Sequence, residues 1–240
     1  MPGICGFSTA VSTRSSAVAA AEGKTPMLEQ ALAARLPGAE LQSQALPLVP
    51  EIELLLLADT MSARELPHEL AASLMEDPLY WVFCWASGQV LARYLFDNPD
   101  TVAGKTVLDF GSGSGVVAIA AARVGAERVI ACDCDPIAQL AISRNAQRNG
   151  VELELIDSLD AAIPALDLIL VADVLYDREN LPLLDKFLDR ARAVLVADSR
   201  IRDFRHPPYE KIAERESRTH PDLDECSEFN RVSLYSAIAP

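Results

Sequence analysis

Short apolar runs alternate with amphipathic stretches over the middle and second half of the chain, and the two periods predict strands and helices in turn. The predicted strands are 107–109, 128–133, 153–156, 167–172 and 194–198, and the predicted helices are 89–96, 116–123, 137–149 and 181–193. Strands separated by helices form a parallel sheet with right-handed crossovers. The pattern therefore predicts an α/β fold.

The end of the chain departs from this alternation. Residues 209–217 and 231–238 have the pattern of strands, but no helical stretch separates them. The connector between them, residues 221–228, is acidic. We therefore expect an antiparallel hairpin that makes one edge of the sheet mixed.

The N-terminal third has a weaker pattern. Residues 1–24 are rich in Ser, Thr and Ala, and we expect a disordered tail; a transit peptide and an upstream start codon are alternatives. Residues 25–77 form an accessory segment before the main domain, residues 78–240. Within it the pattern predicts a helix from Thr25 to Gly38, a strand at 51–58 and a helical region at 62–76 interrupted at Pro67.

Composition limits the possible partners. Half of the 240 residues are hydrophobic, and the formal net charge is −14. That charge argues against nucleic acid and anionic lipid as partners, and no apolar run is long enough to span a bilayer. An acidic surface suits a basic partner, although acidity also serves solubility alone. The five cysteines and three histidines show no zinc-ligand spacing, so we expect no metal, reduced thiols, a cytoplasmic location and a monomer.

The most informative motif is a glycine-rich loop, Gly111-Ser112-Gly113-Ser114-Gly115, between a strand that carries Asp109 and a helix. Glycines at alternate positions let the backbone turn tightly and approach a ligand. A dinucleotide fingerprint requires Gly or Ala at the sixth place of the motif, where this chain has Val116. The loop therefore favours S-adenosylmethionine (SAM), with the Asp109 carboxylate holding the loop and the ammonium group of the ligand.

Acids that follow the next two strands fit the rest of this ligand. Asp133 ends the second strand, where a carboxylate accepts hydrogen bonds from ribose hydroxyls; the alternative is an ordinary strand-ending acid. Asp157 follows the third strand and is placed to accept a hydrogen bond from the adenine amino group, although an ordinary loop acid is equally compatible with this position. Cys134 and Ala172, at the ends of the second and fourth strands, complete the predicted cofactor contacts.

Both tryptophans lie in an aromatic segment before the helix at 89–96. We expect Trp81 to be a core residue. Trp85 precedes a helix start, where its ring is predicted to line the sulfonium end of SAM, because a cation over an aromatic face is attracted to it.

The fourth strand is followed by Asp173 and Tyr176. Ligands of open α/β sheets bind outside the carboxyl ends of the strands, near the point where strand order reverses. We therefore predict that Asp173 and Tyr176 lie beside the transferable methyl group and are the catalytic residues.

The glycine loop, the Cys132-Asp-Cys-Asp-Pro136 segment and the Asp173-Val-Leu-Tyr176 segment together resemble seven-β-strand SAM-dependent methyltransferases. Within these, residues 78–185 resemble the electron transfer flavoprotein β-subunit lysine methyltransferases, and more distantly the ribosomal protein L11 methyltransferases. The resemblance implies a Rossmann-like class I fold with strand order 3-2-1-4-5-7-6, the last strand antiparallel, helices on both faces and a small N-terminal extension. It also implies that Asp173 contacts the target amine.

Three hypotheses about function remain. The first is a methyltransferase that acts on the lysine side chain of a protein substrate. The second is a methyltransferase that acts on a small amine or N-heterocycle with the same loop and acids. The third is a SAM-binding regulatory protein without catalysis, against which the presence of Asp109, Asp133 and Asp173 argues.

Overall fold

A computed structural model describes residues 27–58, 79–161, 163–175, 178–201 and 204–239. Within them a seven-stranded sheet carries helices on both faces. The helices are α1 (27–35), α2 (Ala86–Asp97), α3 (Val116–Arg123), α4 (Pro136–Arg148) and α5 (Leu183–Arg190). The strands are β1 (Leu41–Ala45), β2 (Glu53–Leu57), β3 (Thr106–Phe110), β4 (Arg128–Cys132), β5 (Glu154–Ile156), β6 (Leu166–Ala172), β7 (Ala191–Asp198), β8 (Glu210–Glu216) and β9 (Arg231–Ile238).

The strand order of the sheet is β5-β4-β3-β6-β7-β9-β8. Strands β3 to β7 are parallel, and β9 is antiparallel to both of its neighbours. Counted from β3, this is the order 3-2-1-4-5-7-6 with the seventh strand reversed. The predicted fold and the predicted C-terminal hairpin are therefore confirmed.

One predicted boundary was wrong. The helix expected to run to residue 193 ends at Arg190, and β7 begins at Ala191. The polar residues Arg190 and Arg192 made the sequence resemble a continued helix, so the prediction placed the helix end too late. In the structure Ala191 already pairs with Leu166 in the sheet.

The core has one layer on each face of the sheet. Helices α2 and α3 pack on one face, where the Ala-rich sequence of α3 places six consecutive residues, 116–121, at 4% exposure or less. Helix α5 covers the other face with Leu184 and Phe187. The two layers hold the parallel strands in register and so fix the positions of the loops at their carboxyl ends.

The described part of the accessory segment packs on the outside of α4. Strands β1 and β2 form a separate antiparallel hairpin. Leu54 and Leu56 join the layer of α2 and α3, whereas Leu55 and Leu57 pack with α1, α4 and Trp81, so that β2 is buried on both faces. Trp81 is a core residue, as expected, at 1% exposure. The predicted tail (1–24) and the predicted helical region (62–76) lie outside the described residues.

The two edges of the sheet differ. Strand β5 has three residues. Strand β8 carries charged side chains at five of its seven positions, and its pairing with β9 shifts register between Lys211 and Ala213. Among the described residues, no helix is both long and apolar enough to cross a bilayer.

Candidate active site

The glycine loop, Asp133 and Asp173 meet at the carboxyl ends of β3, β4 and β6. Strand β3 lies between the other two, with Phe110 opposite Cys132 on one side and Val171 on the other. This adjacency brings the glycine loop after β3 next to Asp133 and Asp173. The position is the one where ligands bind in open α/β sheets.

The glycine loop is built on positive φ angles, which are 68° at Gly111, 53° at Gly113 and 85° at Gly115. The N–H groups of Gly111 and Ser112 both donate to the Cys132 carbonyl, at 2.9 and 3.1 Å, which ties the loop to the end of β4. A Cβ atom on Gly111 would lie 2.8 Å from Cγ2 of Val174, the residue after Asp173. Glycine at 111 therefore allows the loop after β6 to approach this loop closely.

Asp109 stabilises the glycine loop through two hydrogen bonds. Its Oδ2 atom accepts hydrogen bonds from Ser112 Oγ at 2.6 Å and from the Ala118 N–H, in the first turn of α3, at 3.0 Å. The side chain is buried, and burial raises the pKa of this carboxyl to about 7, against the lowering effect of both hydrogen bonds. Asp109 thus fixes the loop relative to the helix.

Asp133 holds the next residue of the loop. Its Oδ2 accepts from the Gly113 N–H at 2.8 Å, and its Oδ1 accepts from the Asp135 N–H at 3.0 Å. Burial raises the pKa of Asp133, against these two hydrogen bonds. A carboxylate has about four acceptor sites, so further lone pairs are available for ribose hydroxyls. Cys134 and Asp157 are both exposed, and the Asp133 N–H donates to the Ile156 carbonyl at 3.0 Å, so that Asp157 follows a residue hydrogen-bonded to Asp133.

Asp173 has a left-handed backbone, with φ 51°, which is uncommon for a residue other than glycine. Its carboxylate accepts from the N–H and Oγ of Ser87, at 3.1 and 2.5 Å, and from Ser199 Oγ at 3.0 Å. Ser87 lies in the first turn of α2, where the helix dipole favours an anion. Burial raises the pKa of Asp173, while these hydrogen bonds and the charge of Arg200 oppose the rise.

Three residues that act on Asp173 were not predicted: Ser87 and Ser199, which donate to its carboxylate, and Arg200, whose charge lowers its pKa. A Ser in the first turn of a helix is a common cap signal, but nothing local connects it to an acid 86 residues away. Ser199 and Arg200 follow β7, which is the parallel neighbour of β6. Residues that follow neighbouring parallel strands lie at the same end of the sheet, and this could have predicted that the two residues lie near Asp173.

Trp85 is half-buried at the N-terminal cap of α2, and its Nε1 donates to the Tyr80 carbonyl at 3.1 Å. The guanidinium carbon of Arg200 lies 5.8 Å from its ring centroid and 4.1 Å from that of Phe229. Among the described residues, Arg200 is therefore a cation beside the Trp85 ring, and the contact of this ring with the sulfonium end of SAM stays a prediction.

A further missed acid, Asp198, ends β7 and is buried. Its Oδ1 accepts from the N–H groups of Arg200 and Ile201, both at 2.8 Å. Burial, together with the charge of Asp173, raises its pKa to about 6. Asp198 therefore shapes the loop that presents Ser199 and Arg200.

Tyr176, the second predicted catalytic residue, lies outside the described residues. Within the parts of the chain that the structure describes, His, Cys, Asp and Glu side chains form no group of three that could ligate a metal.

The chain is similar to known methyltransferases. The family model described as ribosomal protein L11 methyltransferase (PrmA) matches residues 92–199. The electron transfer flavoprotein β-subunit lysine methyltransferase of Homo sapiens is 40% identical over 151 residues, which are 60% of this chain and 55% of that protein. The protein of the same name from Rattus norvegicus is 47% identical over 106 residues, 43% of this chain and 41% of that protein.

The ribosomal protein L11 methyltransferase of Alteromonas mediterranea is 44% identical over 115 residues, 47% of this chain and 37% of that protein. The chain thus spans about half the length, or less, of these curated relatives. The sheet order and these similarities confirm both predictions: the fold is that of class I SAM-dependent methyltransferases, and this part of the chain is similar to the electron transfer flavoprotein β-subunit lysine methyltransferases.

Proposed function

We propose that this protein is a SAM-dependent methyltransferase that transfers a methyl group to a lysine side chain of a protein substrate. One observation carries the proposal: the glycine loop, held by Asp109 and Asp133, lies against the residue that follows the oriented carboxylate of Asp173. The similarity to electron transfer flavoprotein β-subunit lysine methyltransferases makes that β subunit the first candidate substrate.

SAM binds across the carboxyl ends of β3 and β4 in this proposal. Asp109 stabilises its ammonium group, the backbone of 111–115 contacts its amino-acid part, and Asp133 accepts from its ribose hydroxyls. Asp157 and Cys134 lie beside the adenine, and Ala172 and Trp85 line the sulfonium end. A ring face stabilises a nearby cation by about 0.5–2 kcal/mol.

SAM supplies an activated methyl group on a cationic sulfur, so that the leaving group is neutral and needs no acid. The new N–C bond forms in line as the C–S bond breaks, which makes alignment the main task of the protein. The lysine must attack as a neutral amine, and holding it neutral at pH 7 costs roughly 4–5 kcal/mol from a pKa of about 10.4. Burial beside a cationic sulfur lowers that cost, and the amine loses its proton to water.

Asp173 captures and aims the amine in this mechanism. Its oxygens are fixed by Ser87 and Ser199, so the carboxylate has one defined orientation. Tyr176, which lies outside the described residues, keeps the pocket-shaping role that the sequence predicts for it. The proposal assigns Asp173 no role as a general base, and its negative charge raises the pKa of the amine that it holds.

The test is methyl transfer from labelled SAM to purified electron transfer flavoprotein β subunit and to a protein extract. The variant Asp173→Asn should bind SAM within about threefold of wild type but transfer methyl groups at least about tenfold more slowly, because the amine is no longer captured. The matched control is Asp167→Asn, at the opposite end of the same strand, where the carboxylate accepts from the Thr106 N–H and pairs with Arg192.

We expect label in a protein band and a near-normal rate for the Asp167 variant. Label only in small molecules would point to an amine or heterocycle substrate. SAM binding without any transfer would point to a regulatory protein. Unchanged transfer by Asp173→Asn would remove Asp173 from the mechanism.

A further inference from the structure

Asn145 of α4 and Asn149, the residue that caps the C-terminus of this helix, cover the free edge of the accessory hairpin. Strand β2 pairs with β1 along one edge, and its other edge faces Asn145 and Asn149. Asn149 accepts from the Glu53 N–H at 3.1 Å and donates to the Glu53 carbonyl at 2.7 Å, while Asn145 Oδ1 accepts from the Leu55 N–H at 2.7 Å. Four residues of helix rise by about 6 Å and two residues of strand by about 6.6 Å, so this spacing matches the side chains to alternate residues of β2.

The two asparagines differ in the groups to which their Nδ2 atoms donate. Asn145 Nδ2 donates to the Ser114 carbonyl in the glycine loop at 2.8 Å. Among the described residues, Asn149 Nδ2 donates to the Glu53 carbonyl of the hairpin and to the Asn145 carbonyl of the preceding helical turn. The Asn145 side chain is completely buried, so its two hydrogen bonds have no competition from water. One amide therefore joins the backbone of β2 to the backbone of the loop.

This contact completes a regular pattern along the loop. Ser112 is held by Asp109, Gly113 by Asp133 and Ser114 by Asn145, so that three consecutive residues are fixed by three different elements. The first two anchors are carboxylates, whose acceptor strength changes with pH. Asn145 is neutral at all relevant pH values.

The next residue of the loop has little freedom to adjust. A Cβ atom on Gly115 would lie 3.4 Å from the Ile142 Cα atom in α4, and the Gly115 N–H donates to the Ser112 carbonyl at 2.7 Å. Rotation of the Ser114–Gly115 peptide would therefore disturb both the loop and the start of α3. The Asn145 hydrogen bond opposes that rotation.

We propose that Asn145 is a positioning residue of the SAM loop, through which the N-terminal hairpin forms part of the cofactor-binding machinery. This inference rests on the proposed function, since it requires the loop to bind SAM. In this proposal Asn145 acts on the cofactor through the loop: it fixes the Ser114 carbonyl, and the backbone of β2 in turn fixes Asn145.

The test compares Asn145→Ala with the matched control Asn149→Ala, which removes hydrogen bonds to the same hairpin one helical turn away. SAM affinity is measured by calorimetry, and folding by thermal unfolding without SAM. We expect Asn145→Ala to weaken SAM binding and raise the KM for SAM by about tenfold or more, with kcat at saturating SAM nearly unchanged. The Asn149 variant should stay within about threefold for both binding quantities, because the loop keeps its anchor.

Equal SAM affinities of the two variants would overturn the inference, whether both are weakened or neither is. Hydrogen exchange on the wild-type protein tests it without a variant. Saturating SAM should slow exchange of the hairpin amides at 53–57, and exchange there that is unaffected by SAM would contradict the coupling. If wild type itself takes up no SAM, the proposed function is wrong; if it binds SAM but the variants match, only this inference is wrong.

Discussion

At the scale of single residues, the site consists of acids that the fold removes from water. Asp109, Asp173 and Asp198 are all held largely out of solvent, and burial raises the pKa of each. Among the residues that the structure describes, hydroxyl and backbone N–H groups hold these three carboxyls, and no lysine or arginine side chain forms an ion pair with them. A cation bound beside them would favour their ionised forms.

Asp109 gives a testable pH dependence. With a pKa of about 7 in the free protein, this carboxyl is increasingly protonated and neutral below pH 7, whereas the SAM ammonium group favours its ionised form. SAM binding should therefore release a proton near pH 7 and weaken by up to about tenfold per pH unit below it. Calorimetry between pH 6 and 8.5, in buffers of different ionisation enthalpy, measures both effects.

The variant Asp109→Asn is the control for this titration. It should bind SAM more weakly above pH 7, because the negative charge is lost. It should also release fewer protons than wild type on binding SAM, because the carboxyl that titrates near pH 7 is absent. Wild-type proton release that persists unchanged in the variant would assign the titration to another group.

Gly113 gives a prediction with an internal control. Gly113 and Gly104 both have positive φ, and a Cβ on either would meet no atom closer than 3.9 Å. An alanine at either position should cost about 1–2 kcal/mol of stability through backbone strain. Only Gly113→Ala should also weaken SAM binding by about tenfold or more, because its methyl group projects from the surface of the loop. Thermal unfolding and calorimetry separate the two effects, and equal SAM affinity of both variants would mean that the loop does not bind SAM.

At the scale of elements, the connector between β8 and β9, residues 217–230, packs against the start of α2. Arg200 stacks on Phe229 and Trp85 and pairs with Glu225, which also accepts from Thr219 Oγ1 at 2.6 Å. The backbone of Cys84 exchanges two hydrogen bonds with that of His220, at 2.7 and 2.8 Å. The connector and Trp85 thus form one wall beside Asp173.

Arg200 should therefore influence transfer more than cofactor binding. In Arg200→Met the wall loses its ion pair and Asp173 loses a nearby positive charge, which raises the pKa of that carboxyl. We expect kcat to fall by about threefold to tenfold, SAM affinity to stay unchanged, and the acid limb of the rate–pH profile to move to higher pH. The control is Arg218→Met, on the same connector, where the lost pair with Asp222 is exposed. A profile that moves equally in both variants would contradict the role of Arg200.

Elements with a strong pattern were predictable, and those with a weak pattern were not. Strand β2 was visible because its run of leucines is buried on both faces. Its partner β1 has the sequence Leu-Gln-Ser-Gln-Ala, and the predictions had no strand there. None of its side chains is fully buried, so its sequence lacks the alternation of apolar and polar residues that predicts a strand.

At the scale of the whole molecule, the order of the sheet follows from the alternation of strands and helices, the final hairpin and the resemblance. The carboxyl ends of the strands then determine where the glycine loop, Asp133 and Asp173 meet. What the sequence could not show are contacts between distant residues whose local signals are ordinary. Ser87 with Asp173 and Leu55 with Asn145 are 86 and 90 residues apart, and each depends on packing that only the complete fold provides.

The two edges of the sheet have a consequence for the behaviour of the protein at high concentration. An exposed strand edge is a template for pairing with another chain, which leads to aggregation and fibre formation. Strand β5 is too short to serve as such a template, and β8 combines alternating charges with an irregular register. Charged side chains and an irregular register disfavour the addition of another strand, so the sheet resists open-ended stacking even though half of the residues in the chain are hydrophobic.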